Sequence, residues 1–254
     1  MVNTFSVYIP AFKEERLIRV YVPTSYETSE KHYPVLYMHD GQNVFHDKDA
    51  IGGVSLNLEK YLDKQQLDVI VVAIDQNSEE RKNEYCPWLN GEYSKQFLPE
   101  GVVFGGKGAE YVDFIVHDLK PLIDKRFRTL KNETAMVGIS LGGLITTYAA
   151  CRYPRIFKNI AVLSSGFYAN QEELEKLIKE SDLSEINSFY LDCGTKESND
   201  DYIAEQCVSW NRAIYTLLKE KINNVTFEVV SDGEHNYLSF QKRVEKLFSF
   251  INEK

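Results

Sequence analysis

Short apolar runs bounded by turn residues constrain this chain more than any other feature of it. They fall at residues 17–22, 35–39, 69–74, 134–139, 160–164, 189–192 and 225–230. Several are continuous rather than alternating, the pattern of strands buried on both faces of a largely parallel sheet. Segments of helical period lie between them at residues 108–127, 141–153, 171–181, 200–221 and 237–251. Strand and helix alternating in this way predict an α/β fold, with helices on both faces and right-handed crossovers between parallel neighbours. The first third is less regular. It reads as an early antiparallel strand or hairpin, a strand ending at Met38-His39, and a long loop from residue 40 to about residue 56. Residues 76–107 have no clean period and hold Pro87, Trp88, Pro99 and several glycines, so they are expected to form an extended connection near a pocket mouth. With no repeat and no linker, residues 1–254 are expected to form one domain.

The net charge of −9 disfavours nucleic acid and anionic membrane surfaces as partners, since no basic patch offsets it. Cys86, Cys151, Cys193 and Cys207 are widely spaced, so neither a zinc site nor a disulfide framework is expected. No run approaches the roughly 18 apolar residues of a membrane span. Residues 1–16 lack the pattern of a secretory signal, so a cytoplasmic location is expected for a chain that has not lost one.

The strongest local signal is Gly138-Ile139-Ser140-Leu141-Gly142, a GxSxG pattern set between an apolar strand and an apolar helix. A serine at the tip of such a turn exposes its oxygen, and glycine two residues to either side is expected to let strand and helix approach. A serine hydroxyl needs an adjacent base, commonly a histidine oriented by a carboxylate. Where the nucleophile sits on this turn, serine, acid and histidine follow in that order along the chain. Of the five histidines only His235 lies after Ser140, in a turn-rich loop before the last helix. Glu197, in the loop after the strand at 189–192, is the preferred acid. Asp192, Asp200 and Asp201 remain alternatives, the first as a strand-end cap and the others as an N-cap and first-turn acid of the next helix. Backbone N–H groups of Leu141 and Gln42 are the candidates for an oxyanion hole, and the Gln42 side chain is a candidate for binding substrate.

These residues are embedded in a wider pattern: residues 33–43, which end in His39-Asp40-Gly41-Gln42-Asn43, then Glu84-Tyr85-Cys86-Pro87-Trp88, Gly105 to Gly108, Gly194 to Glu197 and Gly233-Glu234-His235. With them the sequence resembles the putative-esterase family of α/β-hydrolases, which includes feruloyl and acetyl xylan esterases, enterochelin esterases and S-formylglutathione hydrolases. The resemblance implies the α/β-hydrolase fold and hydrolysis of an ester or thioester by a Ser-acid-His triad, with no metal or organic cofactor. It falls on Ser140, Glu197 and His235, with Gln42 and Leu141 at the oxyanion. Many members carry aspartate where Glu197 stands, so here a longer carboxylate must be accommodated.

The expected activity is therefore that of a serine esterase acting through an acyl-enzyme on a small-molecule ester, carbohydrate-linked or otherwise of small acyl group. Trp88, Tyr85, Phe104 and Tyr237 are candidates for an aromatic-lined acyl pocket. Arg81 is a candidate for gripping a substrate carboxylate or phosphate. An acyltransferase of the same fold, or a noncatalytic binding protein built on it, would fit the same pattern. Nothing in the sequence excludes a homodimer.

Overall fold

The apolar runs assemble into one eight-stranded sheet in the computed structural model, which describes residues 2–96 and 98–252 and, for side chains, ends at 248. Residues 1, 97, 253 and 254 of the expected domain lie outside that description. β1 (Val2–Ile9) and β2 (Glu14–Tyr21) form an antiparallel hairpin, and β2 runs antiparallel to β4 (Ile70–Ile74). From β4 onward the neighbours are parallel: β3 (Tyr33–Met38), β5 (Thr129–Ile139), β6 (Asn159–Leu163), β7 (Ser188–Lys196) and β8 (Val225–Glu234). The order across the sheet is β1-β2-β4-β3-β5-β6-β7-β8. The chain therefore leaves β3 toward one edge and returns to lay β5 on its other side. A crevice opens at the carboxyl ends of strands where the winding reverses in this way.

The helices are α1 (Leu58–Gln65), α2 (Arg81–Glu84), α3 (Glu92–Lys95), α4 (Gly108–Phe114), α5 (Lys120–Arg126), α6 (Leu141–Arg152), α7 (Gln171–Glu180), α8 (Asp201–Lys219), α9 (Tyr237–Gln241) and α10 (Val244–Asn252). Successive strand residues point to opposite faces, which is why the central runs are continuously apolar. Val35 and Tyr37 enter one core with side chains of α4 to α8, whereas Leu36 and Met38 enter a second with Leu58, Leu62, Phe240 and Leu247. All five residues of β4 are fully buried. α6 is buried along nearly its whole length, as a helix apolar all round must be.

Three departures from the sequence reading have local causes. α1 escapes a search for long helices because it has only eight residues, though Leu58 and Leu62 give it a buried face. The helix expected over 108–127 widens to a π turn at Ile115–Leu119, beside Pro121, which has no N–H to return to the carbonyl four residues earlier. The helix expected over 237–251 is broken at Lys242 and Arg243, and Arg243 turns inward. All four cysteines are free thiols. Among the described residues no helix is long and apolar enough to cross a membrane.

His39 closes β3 and anchors the loop that follows. Hydrogen bonds join its Nδ1 to Tyr111 Oη at 2.9 Å and its Nε2 to Thr146 Oγ1 at 3.1 Å, within the core. Burial lowers its pKa to about 4, with the nearby Asp40 charge opposing that shift only in part. In the unfolded chain the ring titrates near about 6.5, so as pH falls the unfolded state takes up the proton first and stability drops between those two values. The shift corresponds to about 3 kcal/mol. Urea unfolding at pH 7 and pH 4.5 should show a larger loss of stability for the wild type than for His39→Gln. Equal losses would remove His39 as the responsible group.

Candidate active site

Ser140 links β5 to α6 with φ 60° and ψ −127°, a backbone conformation that non-glycine residues seldom adopt. The turn is held by its own amides. Ser140 N–H donates to Leu163 O at 3.0 Å, and the Ser140 carbonyl accepts from Gly143 N and Gly166 N, both at 2.9 Å. A Cβ on Gly138 would lie 1.9 Å from the Gly142 carbonyl oxygen, so glycine there is required for strand and helix to meet. The matching demand expected at Gly142 is not found, because a Cβ there meets nothing nearer than 3.5 Å. It falls instead on Gly143, whose Cβ would lie 2.1 Å from Ser165 Oγ and 2.9 Å from Ser165 Cβ. Gly143→Ala should therefore lose about 1–3 kcal/mol through overpacking, while Gly142→Ala should be neutral or gain from helix propensity. Thermal unfolding of the two variants separates them, and equal melting temperatures would refute this account of the turn.

His235 follows β8 directly and reaches back over the sheet edge. Its Nε2 lies 2.9 Å from Ser140 Oγ, and its Nδ1 lies 2.6 Å from Glu197 Oε2. An ionised carboxylate only accepts, so Nδ1 carries the proton and Nε2 of the neutral ring is left to accept from the serine hydroxyl. Glu197 is almost wholly buried, whereas His235 is 38% exposed. Burial raises the Glu197 pKa, but hydrogen bonds from His235, Ser164 Oγ and Gly194 N more than offset it, and the carboxyl lies below its usual range.

The other three acids are engaged elsewhere. Asp192 is fully buried and accepts from Arg243 Nη1 at 2.9 Å. Burial pushes its pKa up to about 6 against the pull of that guanidinium. Asp200 caps α8 by accepting from Ile203 N, and Asp201 stands in the first turn.

Leu141 is the first residue of α6, so its N–H belongs to the amides that lack an intrahelical acceptor. Gln42 lies in a single 3₁₀ turn, Gly41–Asn43, just beyond the end of β3. Its side chain is not available to substrate as expected. Nε2 donates to Gln76 O at 2.7 Å and Oε1 accepts from Gln76 N at 2.9 Å, which clamps this loop to the one after β4.

Two cavities flank the Ser140 and His235 side chains. One, of about 290 Å³, is lined by Leu98, Tyr168, Ile203, Cys207 and Trp210 beside Ser164 to Gly166. The other, of about 300 Å³, has Asp40, Asn43, Gln76, Arg81 and Tyr237 in its wall together with Ile51, Ile139 and Phe240. Arg81 forms a two-pronged pair with Asp40, at 2.6 and 2.8 Å. Burial disfavours its charge, yet the carboxylate more than compensates and raises its pKa. Tyr237 Oη accepts from Asn43 Nδ2 at 2.9 Å. Three expected pocket residues are corrected. Tyr85 is fully buried behind Asp40, accepting from its N–H and lying beneath the Arg81 guanidinium, so it supports the wall without facing substrate. Trp88 packs edge-on against Tyr148, outside the lining of both cavities, and Phe104 is likewise packed in the core.

The sequence reading did not single out Ser164, Arg243 or the apolar wall. Ile203, Cys207 and Trp210 recur along one face of α8, a periodicity that could have marked them, whereas Arg243 sits in a segment that reads as a surface helix.

The family described as "Putative esterase" matches residues 9–249. The chain belongs to it. That membership places this esterase among the hydrolases of carboxylic esters. It is 28% identical over 211 residues to "Uncharacterized protein YbbA" of Bacillus subtilis, covering 81% of this chain and 79% of that protein. An endo-1,4-beta-xylanase/feruloyl esterase of Xylanibacter ruminicola is 29% identical over 142 residues, 54% of this chain but 17% of that protein. Among solved structures, an IroE-like serine hydrolase from Shewanella oneidensis superposes with a TM-score of 0.74 at 20% identity, over 99% of this chain and 79% of that one. The fold is that of the α/β-hydrolases.

Proposed function

We propose that this esterase is a serine hydrolase working through an acyl-enzyme, with Ser140 as nucleophile, His235 as general base and Glu197 as the acid that orients it. The observation that carries the reading is the unbroken path from Ser140 Oγ to His235 Nε2 at 2.9 Å and from His235 Nδ1 to Glu197 Oε2 at 2.6 Å. Ser140 Oγ attacks the ester carbonyl as its proton passes to His235 Nε2. The N–H groups of Leu141 and Gln42 receive the charge that develops on the carbonyl oxygen. The imidazolium, steadied by Glu197, gives that proton to the departing alcohol. Water then attacks the acyl-enzyme with the same base, releasing the acid and restoring the serine. The cavity walled by Leu98, Ile203, Cys207 and Trp210 suits a small or planar acyl group, and the one that holds Asp40, Asn43 and Arg81 has charged and amide groups in its wall to meet a hydroxylated leaving group. An ester between such an acyl group and a sugar fits both, and the feruloyl esterase relative supports that choice.

The test is hydrolysis of p-nitrophenyl esters from acetate to octanoate, methyl ferulate and an acetylated xylooligosaccharide by wild type and Ser140→Ala. Turnover by the wild type should fall by at least about a thousandfold in the variant while its melting temperature holds. Turnover that survives in purified Ser140→Ala would overturn the assignment.

A further inference from the structure

We propose that Arg243 and Asp192 act together as positioning residues: Arg243 ties the His235 loop to Ser164, just after β6, and to the middle of β7, and Asp192 holds its charge so that Glu197 is left to the imidazole. This rests on the reading of Ser140, His235 and Glu197 given above.

Arg243 occupies the break between α9 and α10 and is 3% exposed. Its Nη1 donates to Ser164 Oγ at 2.8 Å and to Asp192 Oδ1 at 2.9 Å. Its Nη2 donates to Glu234 O at 3.2 Å and to Ser239 Oγ at 2.9 Å. One rigid fork thus joins the residue after β6, β7, the residue before His235 and α9. Ser164 passes the constraint on, since its hydroxyl donates to Glu197 Oε1, the oxygen that does not face His235. Ser164 holds φ 46°, uncommon for a residue with a side chain, and the hydrogen bonds on both sides fix it there.

Two carboxylates compete for this guanidinium. Asp192 is in contact, whereas Glu197 Oε1 stands 3.9 Å from Nη2. A buried cation left unpaired is costly, so without Asp192 the guanidinium would turn to Glu197, the nearest remaining carboxylate. The other groups around this cluster leave that balance intact. Tyr190 Oη donates to Asp192 Oδ2 and to Glu228 Oε2, each at 3.3 Å. Burial raises the pKa of the Cys193 and Cys207 thiols and keeps them neutral. The Glu234 carboxylate accepts from Asn236 Nδ2.

The variants Arg243→Met, Arg243→Lys and Asp192→Asn are assayed on whichever p-nitrophenyl ester the wild type turns over, with kcat and KM resolved and kcat/KM followed against pH. In Arg243→Met and Asp192→Asn, kcat should fall by about tenfold or more while KM moves by less than about threefold. The acid limb of kcat/KM should move in opposite directions. In Arg243→Met it should rise by about half a pH unit or more, because Glu197 then carries more of its charge on the imidazole. In Asp192→Asn it should fall, because the freed guanidinium draws on Glu197. Arg243→Lys, which keeps the charge but not the fork, should lose kcat while its limb stays near that of wild type.

A purely structural role would lower activity without parting the limbs, so folded variants whose limbs move together or not at all overturn the inference, as does unchanged kcat. If Arg243→Met does not fold, Arg243→Lys and Asp192→Asn still carry the contrast. Ser140→Ala in the same assay separates the two failures. If it keeps turnover, the triad reading falls and this inference with it; if it loses turnover while the limbs fail to part, only the inference falls.

Discussion

The contact between the backbones of β5 and α6 governs how this molecule presents its chemistry. Gly138 and the carbonyl of Gly142 approach so closely that no side chain fits between them, and the chain can reverse there only by giving Ser140 a positive φ. That strain is held by three backbone hydrogen bonds of the serine, one to the last residue of β6, one from Gly166 in the segment after it and one from Gly143 of α6. The same contact sets where α6 begins, and therefore where its first free amides point. Placing β5 beside β3, at the reversal of winding, brings the loop after β3 against that helix start. The exposed Ser140, the first free amides of α6 and the crevice are thus consequences of one close approach in one strand order.

Around that edge the loops are secured by buried or half-buried guanidinium groups, each facing a carboxylate from a distant part of the chain. Arg16 of β2 pairs with Glu84 in the segment after β4, Arg19 with Asp75, Arg81 with Asp40, and Arg243 with Asp192. Such pairs add little net stability, because desolvation consumes most of what the attraction returns, but breaking one leaves a buried charge that the fold tolerates poorly. They specify geometry more than they stabilise. Asn170 adds a neutral latch, with its side-chain amide donating to the carbonyls of Trp88 and Leu89, and so fixes the irregular segment that carries Leu98 to the cavity.

Much of the fold was legible because burial on two faces leaves a continuous apolar run of strand length, which few arrangements besides a covered parallel sheet produce. β4, β6 and the centre of β5 read plainly for that reason, and GxSxG marked its turn because the backbone there admits so few residues. His235 was found by order along the chain alone. Glu197 was preferred over Asp192, Asp200 and Asp201 on weaker grounds, since all four are carboxylates within ten residues of sequence, and the distances that separate their partners belong to three dimensions. Tyr85 and Trp88 misled because an aromatic beside a pocket and an aromatic behind its wall look alike in one dimension.

The sequence by itself determined a parallel α/β sheet, a serine at a strained strand-to-helix turn and a single histidine placed to follow it, because local sterics and side-chain periodicity are written residue by residue. Only the tertiary structure decided which carboxylate meets that histidine, that Gly143 rather than Gly142 bears the packing demand, that Gln42 is clamped, and that Arg243 leaves its helix to enter the core. Those outcomes depend on which distant groups compete for the same buried donor or the same small volume. That competition exists only once the strands have taken their places.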